Sequence, residues 1–307
     1  MSLTQRIHQA EAELFDSVGV SVEESFLPLR RTRLDLRVLA CSSGPPLILL
    51  HGGALSAAVW APLLRQLPGW RLLSVDLPGH GLSDPVVYRR GAVRAHAWHL
   101  IDDLFDALEL EQAPIVANSL GAMFALWYAA TGTERISSLV AIGDPAVALP
   151  GVRVRMPLSL LTVRGLGIAV LGSPSPPFVH RHLLAQSLGR AEVASAPAPF
   201  LTALRLSARR PQNATTVASL MYAIDRFRRP RPESVLTKPE LAAISTPTMF
   251  IWGTDDPYLS PQGARPSIDV MPAATLHEMP AGHGPWLVDA ERVADLIHTH
   301  VPLSTRH

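Results

Sequence analysis

Six short apolar runs, Leu47–Leu50, Leu72–Val75, Ile115–Ala117, Leu139–Ile142, Thr248–Trp252 and Thr275–Met279, recur along the 307-residue chain and constrain its fold more than any other feature. Most of them end at Gly, Asp, Asn or His. Apolar residues on both faces suit strands buried inside a parallel sheet, not strands with one wet face. Helix-like stretches lie between them at Ala57–Leu67, Ala95–Leu108, Leu120–Ala130 and Ala290–His300. Two earlier segments, Glu23–Leu29 and Leu34–Leu39, read as a leading hairpin. Strand–helix alternation of this kind predicts an α/β fold, a mostly parallel sheet flanked by helices on both faces.

One stretch breaks the pattern. Residues 145–243 hold twelve of the 28 prolines and thirteen basic against four acidic side chains, a balance of +9. The net charge of the whole chain is +1, which leaves −8 for the remainder. A break in two compositional properties over one segment predicts an insertion into a parent domain formed by 1–144 and 244–307. Within it Val217, Leu220, Met221, Ile224 and Phe227 recur at helical spacing, with Asn213 as the expected N-cap and Pro230 as the stop, so the insertion is expected to be a helical lid.

Composition narrows the function. With 48% hydrophobic and 17% charged residues the chain can bury a core, and its balanced charge gives no ground for a nucleic-acid partner. Cys41, the one cysteine, rules out an internal disulfide framework. No apolar run has the length of a membrane span, and Arg6, Glu11, Glu13 and Asp16 interrupt the first residues where a signal peptide would be apolar, so a cytoplasmic location is expected.

The chemistry concentrates at strand ends. Ala117-Asn118-Ser119-Leu120-Gly121 lies between a run and a helix, where a serine projects from a sharp turn and small residues two before and two after let strand and helix approach. Gly121 meets that need, and Ala117 adds one methyl to the usual glycine. His51-Gly52-Gly53 follows an earlier run, where a flexible backbone can aim amides at an oxyanion. Asp255-Asp256 and His283 follow the last two runs, giving the chain order Ser, Asp, His. All lie at carboxyl edges, where ligands of open α/β sheets bind.

These motifs, with Asp76-Leu77-Pro78-Gly79-His80-Gly81-Leu82-Ser83-Asp84 and Gly253-Thr254-Asp255-Asp256-Pro257, resemble the α/β-hydrolase fold superfamily, in particular its serine-nucleophile members with a helical cap after the sixth strand. The resemblance implies Ser119 as nucleophile, His283 as general base and Asp256 as the acid that orients it. It places the oxyanion hole at the amides of Leu120 and Gly53, with Ala54 the alternative to Gly53. Asp255 and Asp144, the latter at the end of the sixth strand, compete for the acid's role. The resemblance implies no cofactor and no metal. His51 is expected to brace the oxyanion loop, and His80 and Asp76 to share a structural turn. His180 and His182 lack neighbouring carboxylates and are expected on the lid surface. Arg164-Gly165-Leu166-Gly167 only begins like a dinucleotide fingerprint. Trp60 and Trp286 are candidates to line the pocket, and Trp127 is expected in the core.

A serine nucleophile implies acyl transfer to water on a small-molecule substrate. Hydrolysis of a carboxylic ester or lactone ranks first. Carbon–carbon bond hydrolysis or thioester hydrolysis follows, because Asn118-Ser119-x-Gly121 resembles the elbow of the ring-fission hydrolases while their Gly-rich stretch after His-Gly is missing. A non-catalytic ligand-binding relative is the alternative of another class. The arginines Arg153, Arg155, Arg226, Arg228 and Arg229 are candidates to draw in an anionic substrate, including an acyl group on a carrier protein.

Overall fold

The computed structural model describes residues 1–153, 159–160, 163, 166–172, 176–227, 229–301 and 303. Eight strands form one sheet: β1 (Glu23–Pro28), β2 (Asp35–Cys41), β3 (Pro46–Leu50), β4 (Arg71–Val75), β5 (Ala113–Asn118), β6 (Ile136–Ile142), β7 (Thr248–Gly253) and β8 (Ala274–Met279). Their order is β1-β2-β4-β3-β5-β6-β7-β8. β1–β2 and β2–β4 pair antiparallel, and every other neighbour pairs parallel. Each apolar run of the sequence is thus a strand, and the leading hairpin is β1–β2.

Side-chain alternation divides the core between the faces of the sheet. Ile48 and Leu50 of β3 join one apolar cluster and Leu47 and Leu49 the other. Helices α3 (Val93–Ala107), α4 (Leu120–Ala129) and α11 (Pro261–Ile268) supply the first cluster. Helices α1 (Leu3–Val18), α2 (Ala61–Leu64) and α12 (Ala290–His300) supply the second. The stretch expected as one helix over Ala57–Leu67 is a 3₁₀ turn at Ala57–Trp60 followed by the single turn of α2.

Between β6 and β7 the described residues form α5 (Leu166–Gly172), α6 (Pro177–Ser187), α7 (Arg190–Ser195), α8 (Ala198–Ser207), α9 (Pro211–Ile224) and α10 (Lys238–Ala242). This segment extends both halves of the core, since Phe200 and Leu204 of α8 join one cluster and Leu220 and Ile224 of α9 the other. α9 departs from the expected boundaries. It begins behind Arg210 with Pro211 in its first turn, where the missing N–H has no helical acceptor to lose. Asn213 lies inside the helix and its buried amide donates to Ser207 O at 3.1 Å and Gly81 O at 3.3 Å. The helix ends at Asp225, and Phe227 has φ 45°, outside it.

Helix α1 was not foreshadowed by any apolar run. Ser2 and Gln5 form a reciprocal capping box, Gly19 closes the helix at φ 68°, and Ile7, Leu14 and Phe15 are buried. It packs against α8 as well as α2. No helix among the described residues is long and apolar enough to cross a membrane.

Candidate active site

β5 delivers Ser119 into the turn before α4 with φ 48° and ψ −107°, a strained backbone held by close packing on both sides. A Cβ on Gly121 would stand 2.5 Å from Leu50 O, so only glycine lets α4 approach β3 this closely. The amide of Gly121 donates to His51 O at 3.2 Å, tying the turn to the loop after β3.

The loops after β7 and β8 bring Asp256 and His283 together. His283 Nδ1 donates to Asp256 Oδ2 at 2.7 Å, and both residues are buried. That bond leaves Nε2 as the ring's acceptor. Asp256 also accepts the amides of Asp144 and Tyr258, each at 3.0 Å. The adjacent Asp255 is exposed. Asp144 contributes its backbone N–H to Asp256, while its own carboxylate oxygens are buried with no partner among the described residues. Burial, then the charge of Asp256, raises the Asp144 pKa well above the ordinary carboxylate value.

The loop after β3 is set by two histidines. His51 Nε2 accepts the Leu77 amide at 3.0 Å, so its Nδ1 donates to Gly52 O at 2.7 Å. His80 Nε2 accepts the Ala54 amide at 3.0 Å, and its Nδ1 donates to Pro78 O at 3.0 Å. Ala54 therefore has its N–H engaged. Gly53 and Leu120 have amides with no acceptor among the described residues. Burial, reinforced by His51, lowers the His80 pKa to about 3, and burial lowers that of His51. Both rings act as neutral braces. The sequence placed His80 in a structural turn but gave no sign of its hold on Ala54.

Beneath these loops lies Asp76, wholly buried. Its carboxylate accepts the amides of Ala57 at 2.6 Å and Leu82 at 2.9 Å and faces Arg37 at 3.3 Å. Burial is the largest single influence and would raise its pKa, but Arg37, His51 and the two backbone amides together outweigh it, and the value lies below the ordinary one. Arg37 is itself buried against Glu11 of α1 and Glu24.

Ser119, His283, Gly53, Leu120 and Asp144 line one cavity of about 150 Å³. Its other walls are mostly apolar and come largely from the β6–β7 segment, among them Val147, Val152, Leu184, Leu188, Leu220 and Ile224, with His80, Asn118, Ser187 and Tyr258 the polar exceptions. Trp60 and Trp286 do not line it. They are fully buried, with ring centroids 4.7 Å apart, in the core beneath. Trp127 lies in the core and donates to Ser234 O. Arg153, Arg226 and Arg229 are exposed and none lines the cavity, although Arg153 follows the lining residue Val152. Arg155, Arg228, Arg164 and Gly165 lie outside the described residues. His180 is partly buried and His182 contacts Gln186 at 3.0 Å. Among the described residues no group of three or more His, Cys, Asp or Glu is arranged to hold a metal.

The alpha/beta hydrolase fold family model matches residues 45–290. The pimeloyl-[acyl-carrier protein] methyl ester esterase of Shewanella sp. (strain MR-7) is 30% identical over 277 residues, covering 83% of this chain and 95% of that one. The 2-hydroxy-6-oxononadienedioate/2-hydroxy-6-oxononatrienedioate hydrolase of Cupriavidus pinatubonensis is 26% identical, covering 88% and 90%. Among solved structures, carboxylesterase CesB of Bacillus subtilis superposes with a TM-score of 0.74 at 21% identity, covering 98% of this chain and 99% of that one.

Proposed function

The chain belongs to the α/β hydrolase fold family, and on that premise we propose that it is a serine hydrolase that cleaves a carboxylic ester or lactone of a small-to-medium, largely apolar substrate. The observation that carries this reading is the 2.7 Å bond from His283 Nδ1 to Asp256 Oδ2 beside a serine at φ 48° in one apolar cavity. Ser119 Oγ attacks the acyl carbon and its proton passes to His283 Nε2. Asp256 stabilises the imidazolium that forms. The N–H groups of Gly53 and Leu120 receive the developing oxyanion. The tetrahedral intermediate collapses, His283 gives its proton to the departing alkoxide, and an acyl-enzyme on Ser119 remains. Water, deprotonated by His283, then releases the acid and restores the serine. Residues 145–243 serve as a helical cap that supplies the apolar walls of the acyl site.

Similarity to the pimeloyl-[acyl-carrier protein] methyl ester esterase supports an acyl group borne on a carrier protein as a second substrate form. The exposed Arg153, Arg226 and Arg229 are its candidate contacts. Similarity to the 2-hydroxy-6-oxononadienedioate/2-hydroxy-6-oxononatrienedioate hydrolase, together with Asn118-Ser119-x-Gly121, supports carbon–carbon hydrolysis as the other chemistry to test.

The test is a substrate panel of acyl esters, lactones, thioesters and vinylogous diketones, run beside fluorophosphonate labelling. Ser119→Ala is expected to remove labelling and to lower kcat by about 10⁶-fold. A variant that keeps more than about a tenth of the wild-type rate overturns Ser119 as nucleophile. A wild type that neither turns over nor labels indicates a ligand-binding relative.

A further inference from the structure

Two consecutive amides of the loop that carries His283 are taken by the β6–β7 segment. The Gly282 N–H donates to Glu192 Oε1, and the His283 N–H donates to Leu188 O at 2.7 Å. Glu192 belongs to α7 and is 1% exposed. A carboxylate removed from water is costly unless hydrogen bonds or a counter-charge compensate it. No cationic side chain pairs with Glu192 among the described residues, so the Gly282 amide is the compensation the structure provides. Such a charge-assisted bond is shorter and stronger than one between neutral groups.

The surrounding glycines fit this contact. A Cβ on Gly282 would stand 2.5 Å from Leu188 O and 3.1 Å from both carboxylate oxygens of Glu192. A Cβ on Gly189, at φ +123°, would lie inside the Glu192 carboxylate. The far side of His283 is held by Asn118, whose Nδ2 donates to His283 O at 3.3 Å and to Ile142 O at 2.8 Å. With Asp256 on Nδ1, the residue is fixed at its N–H, its C=O and its ring by three different parts of the chain.

We propose that Glu192 is a positioning residue for His283, so that the segment covering the cavity also sets the geometry of the base. The inference rests on His283 acting as the base of the proposed hydrolase. Seating of residues 188–192 then becomes a condition for proton transfer from Ser119, and displacement of this stretch disarms the site even when Ser119 and Asp256 are undisturbed.

The test compares wild type, Glu192→Ala and Glu192→Gln by steady-state kinetics on the best ester of the panel and by the rate of fluorophosphonate labelling. Glu192→Ala is expected to lower kcat by about 10²-fold through misplacement of the base, with KM changed less than about threefold and labelling slowed in proportion. Glu192→Gln keeps an oxygen that can accept the Gly282 amide and is expected to recover most of the loss. Hydrogen exchange on the wild type provides a measurement independent of turnover, and strong protection of the Gly282 and His283 amides is expected. Rapid exchange at both amides overturns the proposal, whatever the variants do. So does a folded Glu192→Ala enzyme with kcat within about twofold of wild type, or a folded Glu192→Gln that recovers nothing. If the wild type neither turns over nor labels, the hydrolase reading fails, and amide exchange alone still decides whether Glu192 holds the loop.

Discussion

The loop after β3, proposed to hold the oxyanion, and the His283 loop stand on opposite sides of Ser119 and are braced in different ways. The first is held from within the body of the sheet. His51 and His80 grip Gly52 and Ala54, and Asp76 holds the amides of Ala57 and Leu82 from below. These braces come from the loop after β3 and the turn after β4, whose strands are hydrogen-bonded neighbours. The second is held partly by Glu192 and Leu188, which the chain places about ninety positions earlier, between β6 and β7. The first support forms with the sheet itself. The second exists only once the helices over the cavity have folded onto it.

The comparison predicts that damage at the two loops registers in different observables. The largest effect belongs to the His283 side. Asp256→Asn is expected to lower kcat by about 10⁴-fold, because the amide no longer favours the tautomer and charge the base needs. Asp144→Asn should cost far less, since the hydrogen bond from Asp144 to Asp256 comes from its backbone N–H, which the substitution leaves in place. Steady-state kinetics on both variants decide this. A larger loss for Asp144→Asn would reassign the acid and remove the contrast.

Next in size is the side of the proposed oxyanion loop. Asp76→Ala removes one of three carboxylates around the Arg37 guanidinium, 3% exposed, and leaves two buried amides without their acceptor. A buried donor left unpaired costs about 1–3 kcal/mol, so with two of them urea unfolding should show a loss of about 2–6 kcal/mol. Variants at Glu192 should spare stability by comparison, and a larger unfolding loss there than at Asp76 would reverse the proposed division of roles.

The smallest effect is graded by pH. His80 is neutral and buried, with a folded pKa of about 3 against an ordinary 6.5. A depressed folded pKa means its stabilisation is complete above 6.5 and is lost as pH falls toward 3, at up to about 1.4 kcal/mol per pH unit. His80→Gln removes this ionisation and should give a shallower decline of unfolding free energy between pH 6.5 and 5. A slope equal to that of the wild type would show that His80 does not stay neutral in the fold.

The same contrast explains what could be read from the sequence. Strands β3, β5 and β7 are almost wholly buried, so their apolar runs announce them, and each ends beside a residue of the candidate site. Gly121 could be read because its need for close approach is local to the turn. The boundaries of α9 were misplaced because Asn213 has the chemistry of a cap yet spends its amide on Gly81, a contact set by tertiary packing. Trp60 and Trp286 follow the loops of the site in sequence but turn into the core behind it. Glu192 could not be found at all, since nothing near it in the chain distinguishes it from a solvated helix residue. Its role comes from a partner on a loop that the sequence joins to it only through the fold.

The docking of α1 bears on how the chain reaches this state. Its apolar face, Ile7, Leu14 and Phe15, packs partly on α8, which is translated long afterwards. An amphipathic helix without its partner exposes that face to solvent and to other chains. During synthesis α1 must therefore wait, tethered to a growing sheet, until residues 198–207 arrive. The loop entropy of that late closure falls on the last steps of folding.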